Sequence, residues 1–194
     1  MPPAAPDVTV PEPSTEAERR SRDAVRRLAG TSDGPFERHG VRCWLFVGLL
    51  ADREGVEIDR ELTYCGALLH DIGLYPDASD GGVYVTEGGD FARSLLADLD
   101  WPAERIRRLA DAIEHHHRLR SVWDLGAEAE LMRRADQIEV SAGRLRHGLE
   151  RADIDAVFSA VPRTGFYREI AGLVAGVVRS RPLSLPRVFV AGRG

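Results

Sequence analysis

Residues 67–75 read Ala-Leu-Leu-His-Asp-Ile-Gly-Leu-Tyr, a His-Asp doublet inside an apolar run. An imidazole and a carboxylate are ligands for a divalent transition metal. An Asp among core residues needs a cation, a donor or a proton. Taken alone, the doublet also fits a core His hydrogen-bonded to its neighbour. Other positions shift the balance. His39 stands in Glu37-Arg-His-Gly40, and Asp136 stands in Arg134-Ala-Asp-Gln-Ile-Glu139 between apolar Ala135 and Ile138. His39, His70, Asp71 and Asp136 together offer two imidazoles and two carboxylates. Such a set holds one divalent ion and leaves coordination positions open for water and substrate. The ion would lower the pKa of bound water and polarise an electrophile, so the chemistry expected is hydrolysis or hydration.

The elements that must position these residues are legible as helices. Thr15-Glu-Ala-Glu18 is a capping-box pattern for a first helix ending near Gly30. Pro35 suits the opening turn of a second, which Gly55 can end and whose apolar middle predicts a central buried helix. Asp59 can cap a third, running into His70-Asp71 and stopped by Gly73 and Pro76. Adjacent helical residues point ~100° apart, so His70 and Asp71 can share an ion only near the helix end. A loop follows over 76–85, and Thr86 can cap a fourth helix. Asp100-Trp-Pro-Ala-Glu104 opens a fifth, which ends in His115-His116-His117. A sixth is expected over 127–148 with Leu131, Ala135, Ile138 and Ala142 inward, and two more near 153–160 and 164–179. Val188-Phe189-Val190 is too short to build a sheet, so the fold class is all-α.

Composition narrows the function. The 194 residues carry a net charge of −5, which argues against nucleic acid as partner. Every basic residue except His is Arg, which excludes a Schiff-base lysine and a Walker A lysine. No apolar run approaches the ~20 residues of a membrane span. Met1-Pro-Pro-Ala-Ala-Pro6 has neither a basic nor an apolar leader region, so the expected location is cytoplasmic. Cys43 and Cys65 read as reduced core residues.

The order His39, His70-Asp71, Asp136, with its "Ala-Leu-Leu-His-Asp-Ile-Gly" run and Ala135-Asp136 segment, resembles the HD superfamily of metal-dependent phosphohydrolases. The resemblance covers roughly residues 35–145. It implies a bundle of five or more helices around the ion, with those four residues as its protein ligands. The expected organisation is a disordered tail over 1–13, a single HD-type helical domain over 14–181 and an irregular tail over 182–194. The stretch Glu87-Gly-Gly-Asp-Phe-Ala-Arg-Ser-Leu-Leu96, followed by Asp111-Ala-Ile-Glu-His-His-His117, is more loosely similar to the cyanamide-hydratase-like branch, which hydrates a nitrile at a mononuclear zinc. Two-metal members carry a further His after the doublet. Here that region offers Glu87 and Asp90 but no His, so one ion is expected, of zinc, manganese, iron, cobalt or nickel.

The resemblance implies a pocket His at the spacing of His116, three residues after Ile113, so His116 is the first choice as proton donor, substrate contact or extra ligand, and His115 the second. The competing reading is three surface His at a helix C-terminus, where the dipole favours cations. Arg118, Arg120 and Arg42 are candidates to hold an anionic substrate group, against ordinary solvated arginines. Tyr75 and Glu87 are candidates to line the pocket. Trp44 and Trp123 read as core. The expected partner is a small polar substrate, either a nucleotide or phosphate ester or a nitrile-like molecule. A homo-oligomer through Leu173, Val174 and Val177 competes with a core role for that face. The rival from another class is a non-catalytic helical domain that keeps the metal site for ligand or partner binding.

Overall fold

The computed structural model describes residue 10 and residues 12–190. Of the tail expected over 1–13, residues 1–9 and 11 lie outside the described residues, as do residues 191–194 of the C-terminal tail. Among the described residues every regular element is helical.

Local signals set most of the boundaries. The Thr15 hydroxyl accepts from the Glu18 N–H, and the Glu18 carboxylate accepts from the cap backbone in return. That box opens α1 (Glu16–Ala29), and Gly30 closes it in the left-handed conformation. Pro35 is the first residue of α2 (Pro35–Glu54), and Gly55 ends it. Asp59 accepts from the Leu62 N–H at 3.0 Å and caps α3 (Arg60–Leu69). Two short 3-10 turns follow, Ile72–Leu74 and Pro76–Ala78. Then come α4 (Tyr84–Leu95), α5 (Ala103–Glu114), α6 (Ala127–Val140), α7 (Arg151–Ala160) and α8 (Phe166–Ser180).

Four expectations are corrected. Helix α4 starts at Tyr84 rather than after Thr86, with Val83 as its cap residue and no side-chain cap. Helix α6 stops at Val140, well short of 148. There Ala142 and Gly143 turn left-handed at φ 54° and 72°, and the Gly143 N–H reaches back to the Ile138 carbonyl at 2.8 Å. That closure satisfies an end carbonyl and leads the chain away from the helix axis. The C-terminal segment is not wholly irregular, since Leu185–Phe189 form a 3-10 turn. Trp123 is 38% exposed, with the Arg134 guanidinium over its ring, and is not a core residue.

Helix α2 is the central element, packed against α3, α6, α7 and α8. Phe46, Val47 and Leu50 on it are fully buried. They share a core with Leu62, Leu68 and Leu69 of α3, Leu109 and Ile113 of α5, and Leu131 and Ile138 of α6. Each such side chain contributes about 1.5–3 kcal/mol by leaving water. Cys43 and Cys65 are buried free thiols in this core. Val177 is buried, and Leu173 and Val174 pack against the core, so the apolar face of α8 is turned inward. Among the described residues no helix is long and apolar enough to cross a membrane.

Two glycines set the approach of the elements that matter for the site. A Cβ at Gly40 would lie 2.7 Å from the Ala67 carbonyl oxygen and 3.0 Å from Leu68 Cα. Helices α2 and α3 therefore touch backbone to backbone one residue from His39 and two from His70. A Cβ at Gly73 would strike the Tyr84 carbonyl, so the turn after the doublet lies directly on the start of α4.

Candidate metal centre

The doublet sits where α3 breaks. His70 keeps helical dihedrals as the C-cap, whereas Asp71 moves to φ −104°, ψ 7°. The break resolves the difficulty of two adjacent helical side chains pointing apart. Asp71 Oδ2 lies 3.4 Å from His70 Nε2 and 3.5 Å from His39 Nε2. Asp136, from the middle of α6, brings Oδ1 to 3.7 Å from His39 Nε2 and 3.8 Å from His70 Nε2. The two imidazole Nε2 atoms are 2.9 Å apart. All four side chains are buried.

The donor chemistry of this cluster fits a cation. His70 Nδ1 donates to the Ala67 carbonyl at 2.8 Å, and His116 Nδ1 donates to the Ile113 carbonyl at 2.7 Å. His39 Nδ1 lies 3.1 Å from Glu139 Oε2. Burial raises the Glu139 pKa, but His39, Arg42 and Arg163 outweigh it and hold the group down at about 2. An ionised carboxylate only accepts, so His39 carries its proton on Nδ1. The inward Nε2 atoms face two carboxylates and would turn lone pairs to an ion bound between them. Burial opposes ionisation of Asp71, but His70, His116 and His39 hold its carboxyl well below the usual range. Asp136 is held at about 2 in the same way, against burial, by His70, His117 and His116. His116 Nε2 and Asp71 Oδ1 are 3.4 Å apart, and both are buried without a hydrogen-bond partner. Buried carboxylates and imidazoles gathered this closely need positive charge among them, from ring protons or from a metal. A divalent transition metal fits these residues.

Cys43 also borders His39, its Sγ 3.8 Å from Nδ1. Burial pushes its thiol up to about 11, and it lies against the outward nitrogen of the ring. Its sulfur also lies within 4.8 Å of donor atoms of His39, His70 and Asp136.

The structure separates the three consecutive His. His116 joins the cluster through Nε2, within reach of His70 and Asp71. His117 joins it too, its Nδ1 3.6 Å from Asp136 Oδ2. At 26% side-chain exposure His117 is the open member of the group. Its Nε2 accepts from the Tyr84 hydroxyl, and the Phe189 ring centroid is 6.2 Å from its own. Burial and then His116 push its pKa down to about 4, so it is neutral at pH 7. Burial, and then the Asp71 and Asp136 carboxylates, push the Tyr84 phenol well above its usual range, so it stays a donor. The sequence reading missed Tyr84 and passed over His117. The aromatic at the start of α4 carried no recognisable spacing to the doublet.

His115 is turned away. Helix α5 ends at Glu114, and His115 is its C-cap, with Nδ1 accepting from Arg118 Nε at 3.1 Å. The remaining candidates lie as follows. Arg42 is fully buried and pairs with Glu139, Nε to Oε1 at 2.8 Å. Arg118 is held by His115, and Arg120 is exposed. Glu87 organises the loop before α4, accepting from Ser79 Oγ at 2.6 Å, from the Gly82 N–H at 2.6 Å and from Arg181 Nη1 at 2.6 Å. Tyr75 stacks edge-on against Phe36 at 5.0 Å and donates to Glu169 at 3.1 Å.

No curated protein matches the chain. The family model for the HD domain matches residues 36–141, from the first turn of α2 to the residue after α6. That segment contains His39, His70, Asp71 and Asp136. HD domains bind divalent metals and are for the most part metal-dependent phosphohydrolases. With more than half its length matched and the doublet gathered with a His and an Asp from two other helices, the chain belongs to the HD-domain family.

Proposed function

We propose that the protein is a metal-dependent hydrolase or hydratase for a small, neutral, polar molecule, with nitrile-like substrates first. The observation that carries the choice of substrate is the commitment of the arginines. Arg42, Arg118 and Arg120 were the groups expected to grip a phosphate, and they are respectively buried on Glu139, bonded to His115 and exposed to solvent. The side chains around the cluster are instead aromatic and imidazole. Phe166 stacks on His39 with centroids 4.5 Å apart, and Tyr84 and His117 meet beside Asp136. Such walls suit a small uncharged group better than a phosphate.

His39, His70, Asp71 and Asp136 would hold the ion. When bound, a divalent metal supplies water of lowered pKa and a Lewis acid for the electrophile. The remaining work falls to the chain. His116 Nε2 points at Asp71 Oδ1 and is available as a further ligand or as an anchor for the substrate. His117, neutral and accepting from Tyr84, would take the phenolic proton at Nε2 as the phenol oxygen takes one from the reacting group, and return it by the same route. Asp136 steadies the charge that His117 then carries. Phe166 and Phe36 keep water away from the His39 side.

The family's prevalence of phosphohydrolases favours a second reading, a phosphate ester bound through the metal alone. One assay pair separates them: urea release from cyanamide against phosphate release from a nucleotide panel, with metal-loaded protein. Urea without phosphate is expected. Phosphate without urea would overturn the neutral-substrate reading. Full metal occupancy with neither product would favour the non-catalytic rival.

A further inference from the structure

The resemblance and the family match both centre on the four residues facing the ion, and neither concerns what holds His39 from behind. We propose that Glu139 is a positioning residue for His39, and that the connection between α7 and α8 together with the first residue of α8, outside the matched HD segment, locks it in place through Arg163 and Phe166.

The geometry is specific. Glu139 lies one helical turn after Asp136, fully buried, so one turn of α6 presents a ligand and then its support. Oε2 faces His39 Nδ1 at 3.1 Å and has no hydrogen-bond partner of its own. Oε1 is gripped by Arg42 Nε at 2.8 Å and Arg163 Nε at 3.0 Å. Arg163 also donates through Nη2 to the Glu139 carbonyl at 2.7 Å and to the Tyr167 hydroxyl at 2.9 Å. Phe166 lies parallel to the His39 ring, centroids 4.5 Å apart and planes 27° from each other. Two guanidiniums thus aim one oxygen pair, the free oxygen selects the Nδ1–H tautomer, and the aromatic face fixes the ring plane. The result is an Nε2 lone pair held toward His70 and the two aspartates. A carboxylate behind a ligating His raises its basicity and sets its orientation, and its loss costs about 10- to 100-fold in metal affinity. The proposal rests on the reading that His39 holds the ion.

The test measures zinc and cobalt(II) affinity of the full chain by competition with a chelator. Wild-type protein that binds neither ion sinks the ligand reading itself. If wild type binds, Glu139→Gln at unchanged helix content is expected to bind at least 10-fold more weakly. Equal affinity in folded Glu139→Gln overturns the positioning role alone. Glu139→Gln leaves Arg42 buried without a counter-charge, so it could fail to fold. Arg163→Gln and Phe166→Leu, at the edge of the shell, then decide. Several-fold weaker binding at near-native Tm supports the proposal, and unchanged binding in both overturns it. An independent readout is nitrogen-15 NMR of the His39 ring in metal-free wild type. A proton on Nδ1 is expected, and a ring protonated on Nε2 alone overturns the proposal.

Discussion

His39 and His70 face each other nitrogen to nitrogen, their Nε2 atoms 2.9 Å apart, with each ring's Nδ1 turned to an acceptor behind it. The pairing joins α2 to α3 at the backbone contact that Gly40 permits. It has consequences for metal content, for packing and for acid stability.

If His39, His70, Asp71 and Asp136 hold the ion as proposed, removing any one of them should empty the centre. Purified wild type is expected to carry about one ion per chain, and His39→Ala, His70→Ala, Asp71→Ala and Asp136→Ala well under a tenth of that, by plasma mass spectrometry. Metal at 100 times its Kd should add about 2.7 kcal/mol to stability. That is a rise of roughly 5–10 °C in Tm for a chain of this size, reversed by chelator. Full retention of metal by any one variant removes that residue from the ligand set.

His117 and Tyr84 should matter for turnover more than for metal. His117→Ala and Tyr84→Phe are expected to lower kcat by about 10²- to 10⁴-fold at unchanged metal content. Arg118→Ala and Arg120→Ala should stay within about twofold of wild type, because neither guanidinium is seen at the cluster. A large loss in either arginine variant would restore an anionic substrate.

Gly40→Ala tests the helix contact. The added methyl has to displace the Ala67 carbonyl 2.7 Å away, which should cost about 1–3 kcal/mol in urea unfolding. Because His39 is its neighbour, metal affinity should fall with stability. A stable variant with native metal binding would show that α2 and α3 can separate without harm to the site.

Acid should act in two windows. His115 is pushed down to about 4, first by burial and then by Arg118. Its unfolded form takes the proton first, so the stability it contributes is present above the ordinary imidazole value of 6.5 and is lost as pH falls to about 4. Burial raises the Glu130 pKa, but Arg133, the Val122 N–H and Arg134 outweigh it and bring the group to about 2. Its contribution is present above its ordinary 4.5 and is lost as pH falls from there to about 2. The urea midpoint difference between wild type and His115→Asn should change between pH 7 and 4. The difference for Glu130→Gln should change only below about 4.5, starting from a cost of about 3 kcal/mol. A pH-independent difference for either variant would rule out its assignment.

What could be read from the chain alone was local. The Thr15 box, Pro35, Gly55 and the Asp59 cap act within a few residues of themselves, so α1, α2 and the start of α3 were legible. The set His39, His70, Asp71, Asp136 was legible as types, because a carboxylate or imidazole in an apolar stretch needs a partner wherever the helices go. The tertiary structure decided which partner. Three consecutive His just past the end of α5 point in different directions, and their sequence does not say on which side α3 and α6 lie. Packing sent His116 and His117 inward and left His115 with Arg118. Arg42 and Glu139 are 97 positions apart, and only the crossing of α2 with α6 made that arginine a support for Glu139 rather than a hand for substrate. Short-range rules determine where helices start and which way each face points. They do not determine what stands opposite, since that depends on how the apolar faces of every other helix are buried at once.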